Sequence, residues 1–245
     1  MQTIQLKSIE QDYRTREAYK TLRTNVEFSG DNIQVVAVTS CTPNEGKSSV
    51  SYELAVSFAQ NGKKVLMIDA DLRKSVLIRR HFKGKVRLGL VHCLVGKYNL
   101  DEVTCETDNK NLYMIFAGPV PPNPSELLGS KRFQNTLDEA RKKYDIIIID
   151  TPPLGSVIDS AIVAKQCDGV MLVIANGEIS YRFAQKVKEQ LDKAECRILG
   201  CVLNKVNMSK GGQYGHYGKY YGRYYGKYYG KYYGQYYGNY GNNQD

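Results

Sequence analysis

The sequence of 245 residues has no tryptophan, no C-x-x-C pair and no long apolar run. Its six cysteines are scattered and its three histidines show no metal-ligand spacing. We therefore expect free thiols in a reducing compartment, without a disulfide framework or a His/Cys metal site. The longest apolar stretch, "GVMLVIA", is too short to span a membrane, and the first residues lack the apolar core of a signal peptide. These absences predict a cytoplasmic protein that reaches a membrane only through a partner.

Acidic residues are outnumbered by basic ones, which gives the chain a net charge of +9. The segment 208–245 holds five basic residues and one acid, so it contributes +4 and leaves +5 upstream. This balance favours acidic partners, namely nucleotides, anionic lipid surfaces or nucleic acid.

Aliphatic residues and phenylalanine are absent from Ser209 onward, where a Tyr/Gly repeat of four residues begins. Such a segment has no aliphatic surface to bury and cannot offset its ordering entropy. We predict a disordered tail over 208–245, following a single folded domain over 1–207. The thirteen tyrosines of the tail are Tyr214, Tyr217, Tyr220, Tyr221, Tyr224, Tyr225, Tyr228, Tyr229, Tyr232, Tyr233, Tyr236, Tyr237 and Tyr240.

Six short runs rich in Val and Ile alternate with helical patterns. Their continuous apolar character predicts strands covered on both faces, and therefore an α/β fold with a doubly wound, mainly parallel sheet. The Pro-rich segment 118–126 is predicted to be neither helix nor strand. The predicted strands are 33–40, 64–69, 112–117, 145–150, 169–175 and 197–204, and the predicted helices between them are 47–60, 131–143, 159–166 and 180–193.

The segment "TSCTPNEGKSS", residues 39–49, leaves the first of these strands and enters a helix. It approximates the P-loop pattern G-x-x-x-x-G-K-[ST], with Gly46, Lys47 and Ser48 in the defining positions. Cys41 replaces the first glycine, and Asn44 is a residue that tolerates positive φ better than most. The predicted nucleotide-binding residues of this degenerate loop are Thr42, Pro43, Asn44, Glu45, Gly46, Lys47, Ser48 and Ser49.

Three aspartates follow predicted strands: Asp69 and Asp71 in "MIDADLR", and Asp150 in "IIIIDTPP". Because the carboxyl ends of parallel strands meet at one edge, we expect these carboxylates to lie near the P-loop phosphates. Mg²⁺ prefers oxygen ligands and keeps several waters, which suits Ser48, one or two carboxylates and nucleotide oxygens. The site suits phosphoryl transfer, which depends mainly on positioning and charge neutralisation.

An amphipathic helix is predicted before the first strand, from "YRTREAYKTLRTNVEF", with Ala18, Leu22 and Val26 on one side. Glu17, Lys20 and Arg23 lie on another side, for which a solvated charged face is the simplest interpretation.

Together these motifs resemble those of the bacterial tyrosine kinases of capsule and exopolysaccharide systems, the BY-kinases, in their separate cytoplasmic form. The resemblance runs over nearly the whole chain, from "EAYKTLRTN" through "TPNEGKS", "MIDADLR", "GPVPPNPSELLGSKRF", "IIIIDTPP" and "LGCVLN" to the tyrosine tail. It implies an ATP- and Mg²⁺-dependent protein-tyrosine kinase on a P-loop NTPase-like fold.

The resemblance also implies roles for the site residues. Lys47 would neutralise the phosphates, Ser48 and Asp150 would act at Mg²⁺, and Asp71 would help to hold the ion. Asp69 would accept the proton of the incoming tyrosine hydroxyl, although Asp69 and Asp71 could each serve as base or metal ligand.

Two further sites are implied by the resemblance. Asn204 would recognise the adenine base. The E-x-x-R-x-x-R helix for ring assembly, within residues 1–30, corresponds to Glu17, Lys20 and Arg23, where lysine lacks the bidentate fork of arginine.

The partners implied by the resemblance are other copies of the chain in a ring, a transmembrane adaptor that activates the kinase at the inner face of the membrane, and a tyrosine phosphatase. The tail would be the substrate, phosphorylated in trans by the neighbouring subunit. Capsule or exopolysaccharide polymerisation and export would be regulated in this way.

Two alternatives remain open at the level of sequence. A partition-type switch ATPase shares the fold and the aspartate motifs, but its signature lysine is replaced here by Thr42. A nucleic-acid-binding module would use the Tyr/Gly/Lys tail for base stacking, but Arg223 is its one arginine, and no nucleic acid is expected.

Overall fold

The computed structural model describes residues 2–7 and 12–206, and the predicted tail with its thirteen tyrosines lies outside them. The strands are β1 (Gln2–Leu6), β2 (Val35–Ser40), β3 (Val65–Asp69), β4 (Phe82–Lys83), β5 (Cys105–Thr107), β6 (Leu112–Ile115), β7 (Ile146–Asp150), β8 (Gly169–Ala175) and β9 (Ile198–Asn204). The helices are α1 (Tyr13–Glu27), α2 (Lys47–Gln60), α3 (Leu77–His81), α4 (Leu90–Leu94), α5 (Leu100–Val103), α6 (Pro124–Leu128), α7 (Lys131–Arg141), α8 (Asp159–Ala164) and α9 (Tyr181–Lys193).

The strands form one sheet in the order β4-β1-β5-β6-β3-β7-β2-β8-β9. The six strands from β6 to β9 in this order are parallel neighbours, and they are the six predicted from the sequence. At the other end, β5 is antiparallel to β6, and β4 is antiparallel to β1. The prediction of a mainly parallel α/β sheet is confirmed.

Helices cover both faces of the sheet, as the continuous apolar strands require. Along β2, Val35 and Ala37 belong to one core, which also contains buried residues of α7, α8 and α9. Val36 and Val38 belong to the opposite core, with the buried face of α2. The alternation follows from the two-residue period of a strand. Helix α2 therefore packs on the face of β2 that carries Val36 and Val38.

The N-terminal helix α1 packs against α2, but through a different stripe from the predicted one. Tyr19, Leu22 and Val26 contact the core on the α2 side of the sheet, whereas Ala18 is exposed. The prediction for Ala18 is wrong because the larger ring of Tyr19, three residues before Leu22, offers more apolar surface for burial. The helix begins after Asp12, whose carboxylate accepts a hydrogen bond of 2.6 Å from Thr15 N.

The Pro-rich segment also differs from its prediction, because α6 begins inside it. Pro124 occupies the first turn of α6. Proline is tolerated there because its missing N–H would have no partner within the helix. In the part of the chain that the structure describes, none of the helices is long and apolar enough to cross a membrane.

The core on the α2 side predicts the cost of one truncation. Phe58 of α2 is 2% exposed, so Phe58→Ala should destabilise the protein by about 3–5 kcal/mol through lost burial and a residual cavity. Phe28 is 80% exposed, and Phe28→Ala should change stability by less than about 0.5 kcal/mol. Urea unfolding of both variants measures the difference, and equal losses would contradict the assignment of Phe58 to the core.

Candidate active site

The loop between β2 and α2 takes its shape from two residues with positive φ. Gly46, which precedes α2, has a φ of 91°, and Asn44 has a φ of 69°. Cys41 does not have a positive φ, so its position does not require the glycine of the usual pattern. The degenerate P-loop sequence is therefore compatible with a tight turn that leads directly into a helix.

Hydrogen bonds behind the loop hold it against the ends of β8 and β9. The Glu45 carboxylate is buried and accepts hydrogen bonds from Thr42 N at 2.6 Å and from Ala175 N at 3.2 Å. Asn204 Nδ2 donates to Glu45 O at 2.8 Å, and a Cβ atom on Gly46 would lie 2.1 Å from that nitrogen. Asn204 thus contacts the loop from the end of β9. Glu45 is part of the loop, but its buried side chain supports the loop from inside the protein.

Lys47, the first residue of α2, extends between two carboxylates. Its Nζ lies 3.5 Å from Asp71 Oδ2, 3.7 Å from Asp150 Oδ1 and 3.2 Å from Ser48 Oγ. Ser51, one helical turn later, donates to Asp150 Oδ1 at 3.3 Å. Lys47, Ser48, Asp71 and Asp150 are all buried, so the site pairs a buried cation with buried anions.

Asp69 lies next to Asp150 on the neighbouring strand, because the two residues are paired in the register of β3 and β7. Asp71 N donates to Asp69 Oδ1 at 3.2 Å, and Ser75 Oγ donates to Asp69 Oδ2. Complete burial, and next the charge of Asp150, raise the pKa of Asp69 to about 8. Burial also raises the pKa of Asp150, while the Lys47 ammonium opposes that rise.

A second ion pair, with a buried carboxylate and a more exposed guanidinium, lies beside this group and was not predicted from the sequence. Arg73 donates to Asp159 at the start of α8 through Nε at 2.8 Å and Nη2 at 3.1 Å. Ser125 of α6 donates to the same carboxylate at 2.6 Å. Burial disfavours the ionised form, but hydrogen bonds from Arg73 and Ser125 hold the pKa of Asp159 below its usual range. The pair connects the loop after β3 with α6 and α8.

The predicted assembly residues lie on α1, away from the P-loop. Lys20 Nζ pairs with Glu17 Oε1 at 2.7 Å on the surface of the helix. Arg23 instead turns toward α2 and donates to Ser57 O at 3.0 Å, and its buried Nε has no hydrogen-bond partner among the described residues. The three side chains therefore do not form one exposed face in the single chain.

The oxygen atoms of the site fit a magnesium ion that is shared with a nucleotide. Ser48 supplies a hydroxyl next to Asp150, and Asp71 supplies a second carboxylate near Lys47. Within residues 2–7 and 12–206, no group of three or more His, Cys, Asp or Glu side chains could hold a metal by itself. This is the arrangement expected for Mg²⁺, which usually takes one or two carboxylates and completes its shell with water and phosphate oxygens.

A parallel sheet, a P-loop that leads into a helix and acidic strand ends define the class of P-loop nucleotide-binding α/β proteins. A family model described as an AAA domain matches residues 33–198. The septum site-determining protein MinD of Pyrococcus horikoshii shares the fold, with a TM-score of 0.60 at 24% identity over 73% of this chain and 72% of that one.

Greater similarity is found among kinases. The tyrosine-protein kinase CpsD of Streptococcus pneumoniae is 43% identical over 217 residues, which cover 87% of this chain and 95% of the relative. The kinase domain of the Escherichia coli tyrosine kinase ETK superposes with a TM-score of 0.78 at 34% identity, over 85% of this chain and 84% of that one. The chain belongs to the bacterial tyrosine-protein kinases, as its motifs predict, and its central region is an AAA domain.

The raised pKa of Asp69 predicts how stability depends on pH. Between about pH 4 and pH 8 the folded chain retains a proton on Asp69 that the unfolded chain releases, so stability falls as pH rises through this range. Asn cannot lose a proton. Asp69→Asn should therefore match the wild type near pH 4 and exceed it by about 5 kcal/mol near pH 8.5.

Urea unfolding at the two pH values measures this difference. The control is Asp138→Asn, at an exposed position on α7, for which the difference from wild type should not change with pH. A constant difference for Asp69→Asn would show that Asp69 ionises normally in the folded protein.

The bidentate contact of Arg73 with the buried Asp159 carboxylate predicts energetic coupling. A double-mutant cycle with Arg73→Ala and Asp159→Ala should give a coupling of about 1–2 kcal/mol, because loss of Arg73 leaves a buried carboxylate without its cationic partner, while solvent screens the half-exposed guanidinium. The control cycle uses Lys188 and Asp192, an exposed pair on α9 whose coupling should be about 0.3–0.5 kcal/mol. Equal couplings from thermal or urea unfolding would contradict a special role for the pair of Arg73 and Asp159.

Proposed function

We propose that this kinase uses ATP and Mg²⁺ to phosphorylate tyrosines of its own C-terminal tail, and that one subunit modifies the tail of its neighbour. The observation that carries the proposal is the position of Lys47, whose ammonium lies between Asp71 and Asp150 at the start of the P-loop helix. A lysine at this point can exchange carboxylate contacts for phosphate contacts without leaving the site. The tyrosine repeat supplies an acceptor within the same chain.

Charge neutralisation is the main task of the site in this proposal. Lys47 binds phosphate oxygens, and the backbone of residues 42–49 surrounds the phosphates at the start of α2. Ser48, Asp71 and Asp150 hold Mg²⁺, which supplies further positive charge at the phosphates when it is bound. The carboxylates would then have the ion as their cationic partner in place of Lys47.

Asp69 is the proposed proton acceptor for the tyrosine hydroxyl. A general base works best when its pKa lies near the operating pH, and the pKa of about 8 meets this condition. Asp71, whose Oδ2 lies 3.5 Å from Lys47 Nζ, suits the ion better. The sequence leaves Asp69 and Asp71 as alternatives for the base, and these two observations favour Asp69.

Asn204 is the proposed adenine contact. Its Nδ2 is used by Glu45 O, while its Oδ1 receives no hydrogen bond from the described residues. That oxygen can accept a hydrogen bond from an exocyclic amino group, which adenine has and guanine lacks at the corresponding ring position.

The proposed domain arrangement is a kinase domain over 1–207 and a phosphorylated tail over 208–245. A fully extended tail of 38 residues at roughly 3.3 Å each could reach ~120 Å, enough to enter a neighbouring subunit. Glu17, Lys20 and Arg23 are the proposed ring contacts, which requires rearrangement of the side-chain positions described above. Each phosphate adds about −1.5 to −2 charges, so about three would cancel the +4 of the tail.

The remaining partners follow from the family. A transmembrane adaptor would activate the kinase at the inner face of the membrane, and a tyrosine phosphatase would reverse the modification. The process served would be polymerisation and export of capsule or exopolysaccharide. A switch ATPase of the partition type is the alternative, and Thr42, at the position of its signature lysine, counts against it.

Mixing two defective chains tests transfer between subunits. A full-length Lys47→Met chain keeps the tail but lacks the phosphate-binding lysine, and a chain that ends at Asn207 keeps the site but lacks the tail. With ATP, Mg²⁺ and an adaptor fragment, neither alone should gain tail phosphotyrosine. Their mixture should, as measured by mass spectrometry, and Lys63→Met, at an exposed position outside the site, should behave as wild type.

Phosphotyrosine on the Lys47→Met chain in isolation would refute the role of Lys47. Wild-type samples that hydrolyse ATP without gaining phosphotyrosine would favour the switch ATPase. Light scattering before and after phosphorylation tests the ring, because repulsion between acidic tails should reduce the mass of the assembly. An unchanged mass would refute charge-driven release.

A further inference from the structure

The positive charge of the chain is concentrated in one segment that contains no acid. Residues 72–100 hold eight Lys and Arg residues and no Asp or Glu, which gives +8 of the total +9. Because the tail adds +4, all remaining residues together carry −3. The excess charge of the folded part of the chain is therefore a local feature and not a general property of its surface.

Five of these residues form a surface that we call the basic edge: Arg79 and Arg80 of α3, Lys83 of β4, and Lys85 and Arg87 beyond it. All five side chains are exposed. None of them forms an ion pair with another residue in the described ranges. Glu102 shares a cleft with Arg87, but its carboxylate accepts the Asn99 N–H and caps α5.

Backbone contacts hold the basic edge along the side of the sheet. β4 is the outermost strand and pairs with β1, where Gln5 lies opposite Lys83. Gln2 Nε2 donates to Lys85 O at 2.6 Å, and Lys7 N donates to His81 O at 2.8 Å. The five exposed side chains are thus carried by a segment that is fixed to β1 at the edge of the sheet.

Protection of an edge strand explains only part of this charge. Lysine on an exposed edge discourages pairing with other strands, and Lys83 fits that role. Arg79 and Arg80 lie on a helix and Arg87 lies beyond the strand, so they block no strand pairing. Unpaired cations at this density repel one another and favour a partner of opposite charge.

We propose that the basic edge binds the anionic lipid surface of a membrane directly, in contrast to the sequence-based expectation of membrane contact through a partner alone. Long side chains with no fixed partners suit a plane of mobile negative charge, which needs no precise geometry. From Arg73 to Leu94 no large hydrophobic side chain is exposed, so the contact is electrostatic and does not insert into the bilayer.

A phosphorylated peptide or a single-stranded nucleic acid fits the basic edge less well. Recognition of a single phosphate group usually uses arginines held in place by buried carboxylates, and the five residues of the basic edge have no such support. Single strands also need aromatic side chains for base stacking. The basic edge contains none that is exposed.

Vesicle co-sedimentation of the full chain tests the proposal. Vesicles of phosphatidylcholine with about one third phosphatidylglycerol should bind the wild type at low salt. They should release it near 0.5 M NaCl, where the Debye screening length is only a few ångströms. Each charge removed should weaken binding about fivefold. The affinity for vesicles should therefore fall at least about 100-fold in the triple variant Arg80→Glu, Lys83→Glu and Lys85→Glu.

Two controls separate location and chemistry from net charge. The first control is the triple variant Lys63→Glu, Arg182→Glu and Lys186→Glu, which has the same net charge but changes exposed positions outside the basic edge. Its affinity for vesicles should fall less than about tenfold. Arg79→Lys, Arg80→Lys and Arg87→Lys combined keep every charge and should bind as the wild type does. The reversed variants should retain nucleotide binding and cooperative unfolding, which separates loss of lipid binding from misfolding and from failure of the proposed kinase mechanism.

Three results would overturn the proposal. The first is no binding of the full chain to anionic vesicles. The second is an equal loss in the two charge-reversed triple variants, which would show attraction by net charge alone. The third is strong dependence on arginine over lysine, with binding to a phosphotyrosine tail peptide or to an oligonucleotide in place of vesicles.

Discussion

The contact between the Lys47 ammonium and the carboxylates of Asp71 and Asp150 is the interaction on which the site depends. Asp69 and Asp150 lie side by side at the ends of neighbouring strands, where burial raises the pKa of both and the charge of Asp150 raises that of Asp69 further. A cation between buried anions is stabilising only if it cannot move away, since an unpaired buried charge is costly. Lys47 meets this condition because it is the first residue of a packed helix.

The order of the strands in the sheet provides the second half of this arrangement. β7 lies between β2 and β3, although four strands, β3 to β6, separate β2 from β7 along the chain. Asp150 is therefore adjacent both to the P-loop strand and to the strand that ends in Asp69. Without this crossover, Asp150 would not lie between the P-loop after β2 and the acidic motif after β3.

The central strands could be predicted because their burial is continuous, and the P-loop helix because its motif fixes its start. The short elements β1, β4, β5, α3, α4 and α5 lack such signals, since two to five residues carry little periodicity. Helix α6 was missed because proline was interpreted as a breaker and not as a first-turn residue. Ala18 was placed wrongly because helical spacing alone does not choose between a small side chain and the neighbouring Tyr19.

The structure brings together the candidate site residues that the sequence motifs contain, and it adds others that depend on tertiary contacts. Asp159 begins a helix, where an acid is ordinary, and Ser125 lies in the Pro-rich segment, where the sequence predicts a loop and the structure has α6. Nothing in their spacing indicates that both meet Arg73. Ser51 was predictable in principle, because it lies four residues after Lys47 on the same face of α2. Ser75 reaches Asp69 through the turn after β3, which the sequence does not specify.

The presence of a carboxylate partner separates two kinds of arginine within the acid-free segment. Arg73 has a fully buried partner, Asp159, and through it ties the loop that contains Asp71 to α6 and α8. Arg79, Arg80 and Arg87, a few residues later, have no carboxylate partner in the described part of the chain. A guanidinium bonded to a buried carboxylate stabilises one geometry, whereas at the edge of the sheet the same group adds only to a diffuse field. The segment after β3 therefore contributes to both regions, first by ordering the loop that contains Asp71 and then by concentrating positive charge at the outermost strand.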